Sequence, residues 1–151
     1  MTTPIDKLLE YKNTQVLNRY KKDYPNNKLK AEEAFPELLK YLWISQKHKE
    51  DLCHFPENDE LKFSCGIYPD MLDIDDMWHT FLLFTKDYMA FCDQFFGKYV
   101  HHTPASDNEP IPNNEFEVDF SRYLFYIYDH LGEETVKKWF GELLEEEVDM
   151  A

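Results

Sequence analysis

The stretch DIDDMWHTFLLFTKDYMAFCDQFFGKYVHH, Asp73 to His102, opens on three aspartates, follows them with Trp78-His79, and ends on a His101-His102 pair, with Cys92 between. Carboxylate, imidazole and thiolate are the common protein ligands of zinc, iron and manganese, and the same groups serve as acids, bases and nucleophiles. Helical spacing decides which of them can meet. At about 100° per residue, Asp75 and Asp76 precede His79 by four and three positions and share its face, which Lys86, Ala90 and Asp93 continue. Asp75, Asp76 and His79 are therefore the expected nucleus of any metal site, with Zn, Fe or Mn as the ion. On one unbroken helix Cys92 lies roughly 20 Å from His79 and points elsewhere. His101 and His102 follow Gly97 by only four and five residues, too few to return across roughly 27 Å to His79. They reach it only if the helix breaks or a second chain supplies them. Cys53 and Cys65 are twelve apart and match no zinc-ligand spacing.

The elements that must position these groups read as helices. Ile5, Leu8, Leu9, Val16, Leu17 and Tyr20 mark a first segment, ending near Tyr24 because Pro25 disfavours helical geometry before it. Ala31, Ala34, Phe35, Leu38, Leu39 and Leu42 mark a second, with Pro36 in its opening turn or at a kink. A loop-like stretch, EDLCHFPENDELKFSCGIYPD, follows, in which Leu61-Lys62-Phe63 has the character of a short strand. Asp70 after Pro69 suits the cap of a third helix, with Asp73 in its first turn and Gly97 as its stop. On that helix Trp78, Phe81, Thr85, Tyr88, Cys92, Phe95 and Tyr99 form a core stripe, widened by Met77, Phe84 and Phe91. HHTPASDNEPIPNN reads as a surface loop. Phe116, Phe120, Tyr123, Leu124, Ile127 and Leu131 make a fourth helix closed by Gly132, and Val136, Phe140, Leu143, Leu144 and Val148 a fifth, the two forming an αα-hairpin. The expected fold is all-α: one compact helical domain over residues 1–151 with about five helices, a long central aromatic-rich helix, and an acidic tail from about residue 145.

Asp73, Asp75 or Asp76, Trp78, His79, Leu83, Tyr88, Phe91, Cys92, Phe96, Gly97, His101 and His102 form a pattern that resembles the glycine-rich-domain-containing-protein-like family. Many members of that family carry a second histidine where this chain has Phe81, and the long glycine-rich region of its plant members has no counterpart among the 4 glycines here. The resemblance implies a helical domain and no established biochemistry.

Charge restricts the partners. The 151 residues carry a net charge of -14, and residues 51–151 supply more than all of it because residues 1–50 are slightly basic. Such a chain is repelled by phosphate backbones and anionic lipid, so nucleic acid and membrane are not expected, while a basic protein surface is. The N-terminus, MTTPIDKLLEYKN, lacks the basic start and apolar block of a signal peptide, and three cysteines make no disulfide framework. Reduced thiols in a cytoplasm are the expectation. Neither a Gly-rich phosphate loop nor a Gly-x-Ser-x-Gly elbow is present, no catalytic residue is assigned, and only a dyad assembled in space, such as Cys65 with a distant histidine, is left to tertiary structure. Charge and motif content together point to a non-enzymatic, acidic protein-interaction domain. The alternatives are a metal-dependent protein centred on Asp75, Asp76 and His79, and an immunity-like inhibitor of a basic toxin. The glutamate-rich GELLEEEVDMA is similar to the tails of bacterial effectors exported by type IV systems, which adds an adaptor or effector reading.

Overall fold

A computed structural model describes residues 3–102 and 113–150; side chains at 113, 114, 142, 143 and 145–150 lie outside the description. Among the described residues seven helices follow one another: α1 (Ile5–Leu8), α2 (Thr14–Asp23), α3 (Ala31–His54), α4 (Leu72–Leu83), α5 (Thr85–Phe96), α6 (Asn113–Leu131) and α7 (Glu133–Met150). Single 3-10 turns at Asp59–Leu61 and Pro69–Met71 punctuate the stretch between α3 and α4. The fold is all-α, and no strand occurs among the described residues. Leu61 belongs to a 3-10 turn, and His48 Nε2 sits 2.7 Å from its carbonyl oxygen. That carbonyl is thereby satisfied by a side chain rather than by a neighbouring strand.

The longest helix, α3, is the element around which the others gather, packing against α1, α2, α4 and α6. Of its 24 residues 12 are buried, among them Phe35, Leu38, Leu39, Tyr41, Leu42 and Ile44, so it is apolar around much of its circumference, as a central helix must be. Pro36 sits inside it. Glu37 is buried too, and its carboxylate accepts from Trp139 Nε1 at 3.0 Å and from Lys40 Nζ at 3.1 Å, which ties α7 to α3. A buried carboxylate is tolerable only with such partners.

The segment read as one helix from Asp70 to Gly97 is two. Phe84, with φ -94° and ψ 68°, leaves helical geometry and serves as the end of α4 and the start of α5. No glycine or proline marks the break. Its effect is to fold α5 back toward α4, so that Trp78 Nε1 donates to Tyr88 Oη at 3.0 Å although ten helical residues would separate their backbones by about 15 Å. Thr85, placed on the core stripe by periodicity, is exposed, because the break rotates it out of register with Trp78 and Phe81. Gly97 ends α5 in the left-handed region at φ 69°, and Gly132 closes α6 at φ 89°, each a conformation that favours glycine. α6 and α7 pack together as the expected hairpin. The proline-bearing loop expected after His102 falls largely on residues outside the description, as does the acidic tail's side-chain structure.

Candidate metal centre

The N-terminal half of α4 carries three carboxylates that point in different directions. Asp73 Oδ2 accepts the Leu29 backbone N–H at 2.9 Å, and Asp76 Oδ2 accepts Asn27 Nδ2 at 3.0 Å. Both therefore fasten the loop between α2 and α3, and Asp73, in the first turn of α4, also sits where the helix dipole favours negative charge. Burial pushes the Asp76 carboxyl above its usual range, the bond from Asn27 opposes that, and the charges of Asp73 and Asp75 add to it.

Asp75 turns instead toward the end of the chain segment that follows α5. Its Oδ1 lies 2.7 Å from His102 Nε2 and its Oδ2 lies 3.6 Å from His79 Nε2. The two imidazole rings are 4.5 Å apart between centroids. One donor atom from each of Asp75, His79 and His102 falls within 4.8 Å of the others. His102 and Asp75 are mostly covered, with side chains 13% and 23% exposed, whereas His79 is 48% exposed, so one flank of the cluster faces solvent.

His102 arrives there because of what lies beneath it. Tyr88 Oη receives the Trp78 indole N–H and donates to the Val100 carbonyl at 2.6 Å, fixing the backbone two residues before His102. The His102 ring then meets the Trp78 ring edge-on, centroids 4.4 Å apart. Burial raises the Tyr88 phenol well above its ordinary range, so the bridging hydroxyl stays neutral and can both donate and accept. The return of the chain that an unbroken helix forbids is thus made possible by the bend at Phe84 and held by the Trp78-Tyr88-Val100 relay.

The residues named from sequence separate accordingly. Asp75 and His79 stand together, Asp76 is directed to Asn27, and His102 occupies the third place. His101 is exposed and packs on Tyr99, with centroids 4.7 Å apart. Cys92 is fully buried in the core under α5, and Gly97 lies beyond the cluster as the stop of that helix. Sequence reasoning set His102 aside as too close behind Gly97 to return to His79; the bend at Phe84 is the helix break that brings it there.

The donor set fits a transition metal. Zinc–nitrogen bonds of about 2.0–2.1 Å in a tetrahedron place ligand atoms roughly 3.4 Å apart; the 3.6 Å and 2.7 Å contacts are made by different oxygens of Asp75, so with one donor atom from each residue the set, within 4.8 Å, must rearrange by about an ångström to close on an ion. Two imidazoles and one carboxylate also match the facial set favoured by iron(II), and suit manganese. Three protein donors leave at least one coordination position for water or another ligand.

A second pairing links Cys65 to His48. Cys65 Sγ is 3.4 Å from His48 Nδ1, while His48 Nε2 is 2.7 Å from the Leu61 carbonyl. A carbonyl only accepts, so Nε2 carries the proton and Nδ1 accepts from the thiol. Burial pushes the Cys65 thiol up to about 12 and the His48 imidazole down, so the pair rests neutral. The arrangement anchors the loop after α3 and lacks the lowered thiol pKa of an activated nucleophile.

A family model described as UCP032817-like matches residues 70–121, about a third of the chain. That family is uncharacterised, and it replaces the glycine-rich-domain-containing family to which the motif pointed. The misassignment has a physical origin. Trp78, Tyr88 and Cys92 are core contacts and Gly97 is a helix stop, residue types that packing alone can place at these spacings. The matched span includes Asp75, His79 and His102. No curated protein and no solved structure matches the chain.

Proposed function

We propose that the chain is a metal-binding helical domain whose ion, zinc, iron(II) or manganese, is held by Asp75, His79 and His102. The single observation that carries this reading is the convergence of three donor atoms within 4.8 Å, drawn from one turn of α4 and from a segment beyond α5. In this role the ion clasps the 98–102 segment to α4, with Trp78 and Tyr88 as the platform, and Asp76 stays with Asn27 as a support of the neighbouring loop. The exposed flank of His79 leaves the open coordination positions facing solvent.

The test uses protein purified without a polyhistidine tag. One equivalent of metal by elemental analysis, a melting temperature lowered by chelation and restored by one of the three ions, and loss of both properties in His102→Ala are expected. Binding to the folded state alone stabilises by about 2.7 kcal/mol at a hundredfold excess over Kd. Metal-free protein whose melting temperature ignores added zinc, iron(II) and manganese would overturn the proposal.

Acidic interaction is a second reading, favoured by a distinct surface. Val118, Phe125 and Tyr128 are exposed along α6, with Glu117 and Asp129 on either side. A basic protein partner, including a basic toxin or a host protein met by an exported effector, is the occupant this reading names. Association that slows steeply with added salt supports it, and salt-independent association counts against it. No described helix is long and apolar enough to cross a membrane. The three cysteines are unpaired, which supports a reducing compartment such as the cytoplasm.

A further inference from the structure

Helix α6 is apolar on two sides. Phe120, Tyr123, Tyr126 and Ile127 are buried against the rest of the chain, as one face of a surface helix should be. The outer face should be polar, yet Val118, Phe125 and Tyr128 stand 48%, 65% and 53% exposed along it, with exposed Ser121 between them. Steps of three, four and three residues set them within a sector of about 80° over roughly 15 Å of helix, the a and d places of a heptad. Glu117 borders the stripe on one side and Asp129 on the other, at the g and e places that choose the partner when helices pair. Arg122, at another e place, already donates to the Lys62 carbonyl at 3.1 Å. Lys62 in turn is paired with Asp59 at 2.8 Å, so the cations of this rim are engaged while exposed Glu60 adds to its acid.

We propose, resting on the acidic-interaction reading of this surface, that the stripe docks a basic amphipathic helix of another protein. The apolar a and d side chains of that helix pack on Val118, Phe125 and Tyr128, and its lysines or arginines face Glu117, Asp129 and Glu60. A strand is a poor occupant, because α6 has no row of unpaired backbone groups to extend, whereas an apolar stripe of helical period is matched by the same stripe on a second helix. Ser121, the small residue between Val118 and Phe125, leaves room there for a large side chain of the partner. Acid on both rims decides the sign of that partner, favouring a cationic flank and repelling an acidic one. A second copy of the chain, bringing another net charge of -14, is disfavoured on the same ground, as is an anionic lipid surface. One helix stripe covers less than the roughly 800 Å² per partner of a standard interface, so the complex is reversible, and it weakens with salt.

The probe is a fluorescent peptide of about three heptads with leucine at a and d and lysine at e and g, the lysines keeping it from pairing with itself. Its companions are a scrambled peptide of the same composition and a peptide with the same leucines but glutamate at e and g. Anisotropy at low salt reads the binding, in the presence of a chelator so that no metal enters. The lysine heptad peptide should bind roughly tenfold more tightly than either companion, gain helical circular dichroism on binding, and weaken as salt is added. Phe125→Ser, at an exposed position where replacement leaves the fold intact, should lose on the order of tenfold in affinity, whereas Phe55→Ser, at a ring 61% exposed outside α6, should lose none. Glu117→Lys combined with Asp129→Lys should shift the preference toward the glutamate peptide. Equal binding of the lysine and scrambled peptides would leave a basic partner standing but overturn the helix. Equal binding of the lysine and glutamate peptides would overturn the acidic reading together with it, as would no binding by any of the three. An unchanged affinity in Phe125→Ser would move the contact off the stripe, and self-association that Phe125→Ser abolishes in sedimentation would give the stripe to a second copy; either result overturns the proposal.

Discussion

Replacing Tyr88 by Phe removes one oxygen atom, and the structure places that atom at the joint between α4, α5 and the segment bearing His102. The hydroxyl accepts the Trp78 indole N–H at 3.0 Å and donates to the Val100 carbonyl at 2.6 Å, all within a side chain only 1% exposed. The ring itself stays, so no large cavity opens and the loss is one of hydrogen bonding. Two buried polar groups are left without their partner, each costing about 1–3 kcal/mol, and the slightly more apolar Phe returns a fraction of that. A net loss of about 2–4 kcal/mol is expected. At roughly 2–4 °C per kcal/mol for a chain of this size, the melting temperature falls by on the order of 10 °C. Urea unfolding followed by circular dichroism, in the presence of a chelator so that metal does not enter, gives the free energy. A Trp78→Phe variant completes a double-mutant cycle and isolates the indole–hydroxyl pair. The same Tyr88→Phe protein should hold metal more weakly than the wild type, since Val100 no longer fixes the approach of His102. A change within about 0.5 kcal/mol, with a coupling energy near zero, would show that the relay does not hold the segment and would refute the reasoning.

Stability should also depend on pH through His48. Burial holds its imidazole below the ordinary 6.5, so the folded state binds fewer protons than the unfolded chain in this range. The stability it contributes is complete above about pH 6.5 and is lost as pH falls toward the lower folded value; a His48→Gln variant should show a shallower fall between about pH 7 and pH 5 than the wild type. A wild type and variant with identical pH profiles would remove His48 as the cause. Gly97→Ala should cost about 1 kcal/mol, from the left-handed φ of 69° alone, because a Cβ there meets nothing within 4 Å. A loss above about 3 kcal/mol in urea unfolding would point to a steric or folding effect that this geometry does not contain.

Local information was enough for the helical class. Helix-period apolar residues mark α3, α6 and α7, although the one segment read over Ile5 to Tyr24 is two helices, α1 and α2, and α3 runs on through residues 50–54, which had read as loop; Pro25 follows the end of α2, and Gly97 and Gly132 mark helix ends through a backbone conformation that few other residues adopt. The α4 first turn was legible for the same reason, since Asp75 and His79 are one turn apart and their proximity is a property of the helix alone. What lay beyond the sequence was every contact made across a break or a loop. The bend at Phe84 carries no glycine or proline and follows from the packing of Trp78, Phe81 and Tyr88 into one core, a balance of many contacts that no local pattern encodes. With that bend absent from the reading, His102 stood far from His79; with it present, the two rings are 4.5 Å apart on either side of Asp75. Likewise the direction of Asp76 toward Asn27, and of Cys65 toward His48, depends on where loops return. Helical periodicity fixes which residues share a face, whereas the partner that meets that face is chosen by burial of the whole chain.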